Sequence, residues 1–189
     1  MIRRKTEKTT KRKSVKNEFV IDGKKYQSKV LYDAHLEFKN AVKKRLISSF
    51  DLDTGSGKKS RYTAYKPVLD DIKFDSLMEA RYYVYLKELE REGKIFQLSL
   101  QVPYTLQESF TKNGKKYRPI IYVSDFLYLN EQDKWIVVDI KGKETVEFKL
   151  KQKLFEYKYP NLSLSVIQFY DGKWMTLSDI RKEKRKKKK

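Results

Sequence analysis

The chain has 189 residues, 39% apolar and 14% aromatic, enough to bury one sizeable core and too few to favour two. It has no cysteine and a single histidine, so disulfides, zinc fingers, and cysteine or Ser–His nucleophile systems lack their parts. Any catalysis must run on carboxylates, lysines, tyrosines and a hard metal ion. The net charge is +19, of which residues 1–16 and 181–189 hold +14, each segment carrying eight basic residues and one acidic. Such segments bury no apolar surface and repel themselves, which predicts a basic disordered arm over 1–16 and a basic tail over 181–189. Polycations of this kind suit nucleic acid, where each neutralised phosphate releases counterions; a solubilising or membrane-surface tail is the alternative. No run approaches the roughly 18 apolar residues of a membrane span, and no apolar signal segment follows the basic start, so a cytoplasmic location is expected.

In chain order, FVIDGKKYQS predicts a hairpin turning at Asp22-Gly23. Val30, Ala34, Phe38, Ala41 and Val42 then fall at helical spacing over 29–46. DLDTGSGKKSRYT is a loop by composition, so residues 17–66 form an N-terminal helical elaboration with a linker, and 67–180 the main domain. A second helix runs from Ser76 to Gly93 with Met78, Tyr82, Tyr85, Leu86 and Leu89 as its apolar stripe and Glu79 on the border of that stripe. Both helices begin at an aromatic-x-Ser sequence, with too few identities to establish a repeat. Strands are expected at 95–106, 117–129, 135–141 and 163–169, with a helix over 145–158 and an edge strand in DGKWMTL. The fold class is therefore α/β: helix, three-stranded antiparallel meander, helix, strand.

WIVVDIKG is the most strand-like run, and a charge buried among such neighbours is costly unless paired or bound to a metal. If Leu129 pairs with Trp135 across the preceding hairpin, Asp125 lies directly opposite Asp139. Two ionised carboxylates about 5 Å apart repel by roughly 3 kcal/mol at an effective dielectric of 20. Lys141 points to the same face but compensates only half of this pair, and a divalent cation with oxygen ligands fits better. The five-residue loop does not fix the register: a two-residue slip keeps both aspartates on one face as diagonal neighbours, and a one-residue slip would separate them onto opposite faces. A solvated Asp139–Lys141 ion pair is the alternative to a metal site. Ser76-Leu77-Met78-Glu79 also reads as a capping box, which accounts for Glu79 without chemistry.

Glu79 on a helix, then Asp125, then Asp139-Ile140-Lys141 on this frame resembles the PD-(D/E)xK nuclease superfamily. More narrowly, FDSLMEARYYVYLKELEREGKI, YRPIIYVSDF, VVDIKG and KLFEYKYP are similar to a family of small phage-encoded proteins regarded as Holliday-junction-resolvase-like recombination endonucleases. The resemblance covers about residues 72–168; Ser124, where proline is common, is a departure. It implies a restriction-endonuclease-like core and a Mg²⁺ (or Mn²⁺) site with Asp125, Asp139 and the Ile140 carbonyl as ligands and Glu79 binding directly or through water. Lys141 would position or deprotonate the attacking water and stabilise the transition state, and the location would be host-cell cytoplasm.

On the helix that would flank this site, Lys149, Lys153 and Glu156 fall on one face and Val146, Leu150, Leu154 and Tyr157 opposite. Lys149 and Lys153 are candidate phosphate contacts, as are Lys115 and Lys116 in the turn TKNGKKYR; an ordinary solvated face is the alternative for both. His35 is expected to be structural, and nothing in the spacing of the 14 tyrosines selects one for base stacking. The reading is a metal-dependent DNA endonuclease acting on branched DNA. Two symmetric cuts through a junction imply a homodimer. The alternatives are a non-catalytic basic nucleic-acid-binding protein, or a nuclease of the same fold acting on duplex, nicked or flap DNA.

Overall fold

The computed structural model describes residues 19–26, 28–52 and 66–187; the arm over 1–16 and nearly all of the loop over 51–63 lie outside them. The chain is mixed α/β, with four helices and a five-stranded mixed sheet among the described residues.

Two units of one plan come first. β1 (Phe19–Ile21) and β2 (Lys24–Tyr26) pair across Asp22-Gly23, both at positive φ, the two-residue turn that Asp and Gly accommodate, and Ser28 caps α1 (Lys29–Lys43). After β3 (Phe50–Asp51), the plan recurs. β4 (Val68–Leu69) and β5 (Ile72–Lys73) pair across Asp70-Asp71, again at positive φ, and Ser76 caps α2 (Leu77–Arg91). Asp22 and Asp70, Ser28 and Ser76, and His35 and Tyr83 each stand 48 positions apart. In each unit the turn aspartate meets the helix residue 13 positions on: Asp22 faces His35 Nε2 at 3.4 Å, and Asp70 accepts from the Tyr83 hydroxyl at 2.9 Å. His35 is thus structural, its Nδ1 hydrogen-bonded to the Tyr26 hydroxyl. β3 pairs with β4, tying the units together.

β6 (Ile95–Gln107) enters the main sheet. The excursion β7 (Phe110–Lys112) and β8 (Lys115–Tyr117) follows, and then β9 (Ile120–Asn130) and β10 (Trp135–Ile140). α3 (Val146–Lys158) crosses over to β11 (Ser163–Tyr170), and β12 (Lys173–Thr176) leads into α4 (Leu177–Lys186). The strand order is β12-β11-β10-β9-β6, with β10 and β11 parallel and every other pairing antiparallel. The expected hairpin, meander, crossover helix and edge strand are all present.

β10 is buried on both faces. Val138 and Ile140 pack with Phe126 and the helices α1 and α2; Val137 packs with Leu164, Val166 and the α3 side chains Phe148 and Phe155. Each such aliphatic burial contributes about 1.5–3 kcal/mol.

α1 packs on the main domain: Leu31, Ala34, Phe38 and Ala41 share one core with Ala80 and Leu86 of α2, and Glu37 pairs with Arg81 Nε at 2.7 Å. Three expectations need correction. Within α1, Val30 is 61% exposed and Leu31 is the buried residue. In α3, Phe148 and Phe155 turn inward, leaving Val146, Leu150 and Tyr157 exposed beside Lys149 and Lys153. Two aromatic rings bury more area than the aliphatic stripe expected there. Residues 181–186, expected as an unfolded tail, are helical. Thr176 accepts from the Asp179 amide at 3.1 Å and donates to its carboxylate at 2.7 Å, Ile180 is buried, and Arg181 and Glu183 pair with Glu144 and Lys173.

An arm without contacts would tolerate any substitution. Docking of α4 instead predicts that Ile180→Ala costs about 3 kcal/mol and lowers the melting temperature by roughly 6–12 °C in thermal denaturation.

Candidate active site

The β9–β10 ladder runs Trp135 with Leu129, Ile136 with Tyr128, Val137 with Leu127 and Val138 with Phe126. Continuing that register sets Asp139 opposite Asp125. At this point the side chain takes over from the backbone, and the Ile140 amide donates to Asp125 Oδ2 at 2.7 Å. Asp139 is 1% exposed. Its Oδ2 accepts from the Tyr122 hydroxyl at 2.7 Å. Its Oδ1 is also buried and faces Lys141 Nζ at 2.7 Å, an ion pair.

The electrostatics follow from this crowding. Burial first, and then the charge of Asp139, push the Asp125 acid up from 3.8 to about 7, against the Ile140 hydrogen bond. Glu79, raised by burial, adds to the field at Asp125. Burial disfavours the charge on Lys141, but Asp139, with Asp125 and Glu79 behind it, outweighs this and holds the lysine above its ordinary value. The Tyr122 phenol, raised by burial and by Asp139, stays a donor. One lysine thus faces three carboxylates.

Glu79 sits at the start of α2 and is 8% exposed. The capping box is formed: the Ser76 hydroxyl donates to Glu79 Oε1 at 2.8 Å and accepts from the Glu79 amide at 3.1 Å, and the Asp75 amide donates to Oε2 at 3.2 Å. The first unit shows that a cap does not need this carboxylate. There Ser28 accepts from the amide of Leu31, the residue equivalent to Glu79, and Leu31 is wholly buried in the core. A carboxylate therefore occupies a position where the same local structure accepts an apolar side chain, and capping alone does not account for it.

A cleft beside the pair is lined by Ile121, Tyr122, Val123, Lys141, Phe148 and Lys151. Lys141 Nζ lies 5.6 Å from the Phe148 ring centre. Lys151, on the Phe148 and Phe155 face of α3, is the helix lysine that reaches the cleft, where it pairs with Glu147 at 2.9 Å; Lys149 lies 4.0 Å from Glu144, and Lys153 is exposed on the outer side. Lys115 and Lys116 lie on β8, away from the cleft lining. Sequence reasoning missed Tyr122, Phe148 and Lys151. The seven-residue spacing of Phe148 and Phe155 is the signal that would have placed Lys151 inward. Among the described residues, no three His, Asp or Glu side chains stand close enough to hold a metal ion as they are. What suits a hard cation is the acidic pair, whose charge a single lysine only partly compensates.

Residues 59–172 match the model of the family described as "Protein of unknown function (DUF1064)", and the chain belongs to that family. The match includes Glu79, Asp125, Asp139 and Lys141 and excludes β1, β2, α1, β3, β12 and α4. No curated protein and no solved structure matches the chain.

The folded chain keeps the Asp125 proton to about pH 7 whereas an unfolded aspartate releases it near 3.8, so Asp125 costs stability as pH rises through that window. Asp125→Asn should match wild type at pH 4 and be more stable at pH 8 by about 1–3 kcal/mol, measured by denaturant unfolding without divalent ions. Glu79→Leu, which restores the first unit's arrangement, should cost less than about 1 kcal/mol in the same assay.

Proposed function

We propose that the protein is a metal-dependent DNA endonuclease of restriction-endonuclease-like fold that acts on branched or recombination intermediates. The order α2-β6-β9-β10-α3-β11, an antiparallel meander followed by a crossover to a parallel strand, agrees with the helix, three-strand, helix, strand frame of PD-(D/E)xK nucleases. The observation that carries the reading is the Asp125–Asp139 pair beside Lys141 at the cleft, Asp139 buried and Asp125 half-buried, a concentration of negative charge that a single lysine only partly compensates.

Asp125, Asp139 and the Ile140 carbonyl would hold Mg²⁺ or Mn²⁺. Such an ion, when bound, lowers the pKa of a water and neutralises charge on a phosphodiester. Glu79, whose two oxygens each accept one hydrogen bond in the cap and keep a second lone pair free, would bind the ion directly or through a water. Tyr122 fixes one oxygen of Asp139 and leaves the other beside Lys141. Lys141, held protonated by its carboxylate neighbours, is suited to stabilising negative charge on the phosphate oxygens and to orienting water, and is a poor base. Phe148 limits the freedom of its ammonium group. Lys151 is placed to contact phosphate at the cleft, with Lys149, Lys153, Lys115 and Lys116 as more distant contacts. Resolution of a four-way junction calls for a homodimer.

A labelled four-way junction with Mg²⁺ tests this. Wild type should cut it and chelation should stop cutting. Asp125→Ala and Asp139→Ala should each lose roughly three orders of magnitude in rate while still binding DNA. If wild type and Asp139→Ala bind equally and neither cuts junction, flap, nicked or duplex DNA, the enzyme reading fails and the basic binding protein stands.

A further inference from the structure

The β7–β8 hairpin stands apart from both cores: Phe110 and Tyr117 belong to neither, and every residue from Phe110 to Tyr117 is exposed. It is a separate two-stranded ribbon turning on Asn113-Gly114, both at positive φ. Such a ribbon is marginal in water without a surface to pack on. Its cross-strand pairs make this worse for the free protein. Lys112 is directly opposite Lys115, and like charges in that position destabilise. Lys112, Lys115, Lys116 and Arg118 carry four positive charges in seven residues, and none has an acidic partner among the described residues.

The third pair is aromatic. Phe110 and Tyr117 stack face to face, centroids 4.6 Å apart and planes 5° from parallel, at 42% and 38% exposure, with Lys115 Nζ 5.3 Å from the Tyr117 ring centre. Flat aromatic faces flanked by unpaired cations match the chemistry of unpaired nucleic-acid bases and their phosphates. Beyond Tyr117 the chain runs into β9, where the exposed Ile121 and Val123 line the cleft that holds Lys141. From Tyr117 to Asp125 is eight residues, at most about 26 Å of extended chain, or about eight nucleotide steps.

We propose that the β7–β8 hairpin is a nucleic-acid-binding finger that stacks unpaired bases on Phe110 and Tyr117 while its lysines hold the adjoining phosphates. It thereby selects DNA carrying a branch point within about eight nucleotides of the bond at the carboxylate pair. This rests on reading the partner as DNA, and binding tests it independently of cleavage. The full chain is titrated, in chelator, onto a duplex and onto a fork of the same sequence with 2-aminopurine at the branch point. Wild type should bind the fork at least tenfold more tightly and quench the 2-aminopurine. Phe110→Ala with Tyr117→Ala should bind fork and duplex within twofold of each other, with duplex affinity unchanged and no quench. Tyr117→Phe should retain the preference. Lys112→Ala with Lys116→Ala should weaken both substrates equally. Since the rings lie outside both cores, the double aromatic variant should melt with wild type.

The proposal is overturned if wild type shows no preference, if the double aromatic variant keeps it, or if that variant changes only the sedimentation mass, which would make the hairpin a contact between protein copies. Failure to cut any DNA with the fork preference intact would overturn the nuclease reading and leave the finger standing.

Discussion

Two acidic side chains forced together at the end of a buried strand are the constraint on which the rest of the structure turns. β10 is apolar on both faces, so its register with β9 cannot slip without exposing Val137 or Val138. That register brings Asp139 opposite Asp125. The fold then answers the charge piecemeal: the Ile140 amide on one carboxylate, Tyr122 and Lys141 on the other, and a proton retained on Asp125 to about pH 7. A protein selected for stability alone would fill this place with apolar side chains, since buried charges recover their desolvation cost poorly. Retaining the pair is intelligible if something positive and external completes it.

The doubled hairpin–helix plan explains how the third carboxylate is held. α1 and α2 begin the same way, from a turn aspartate and a capping serine, and they pack on each other through Arg81, Glu37 and a shared core. The first unit holds Leu31 where the second holds Glu79, and its leucine belongs to the packing that fixes the second helix. The N-terminal unit thus buttresses the site without carrying a functional group, although the family match begins after it.

Much of this was legible in the residues. The D-G hairpin, the two serine-capped helices and the meander follow from turn chemistry and strand periodicity; the Leu129–Trp135 register was one of those that the five-residue loop allows, and the structure has it. The failures have physical causes. Helical periodicity in α3 is ambiguous because aliphatic and aromatic residues compete for the inner face, and the larger rings won, which moved Lys149 and Lys153 outward and Lys151 inward. Charge density hid α4, whose basic run docks through Ile180 and the Thr176–Asp179 cap. Tyr122 could not be chosen among 14 tyrosines, because its partner Asp139 is 17 residues away. Phe110 and Tyr117 stand out only once the hairpin is seen to lie off the core.

The claim that the acidic pair is a metal site is tested most directly by locating a metal. A crystal of the full chain soaked in Mn²⁺ should show an anomalous peak at bonding distance, about 2.0–2.3 Å, from carboxylate oxygens of both Asp125 and Asp139. A crystal that takes up Mn²⁺ only elsewhere, or that leaves Lys141 as the sole cation beside the pair at saturating metal, would contradict the account.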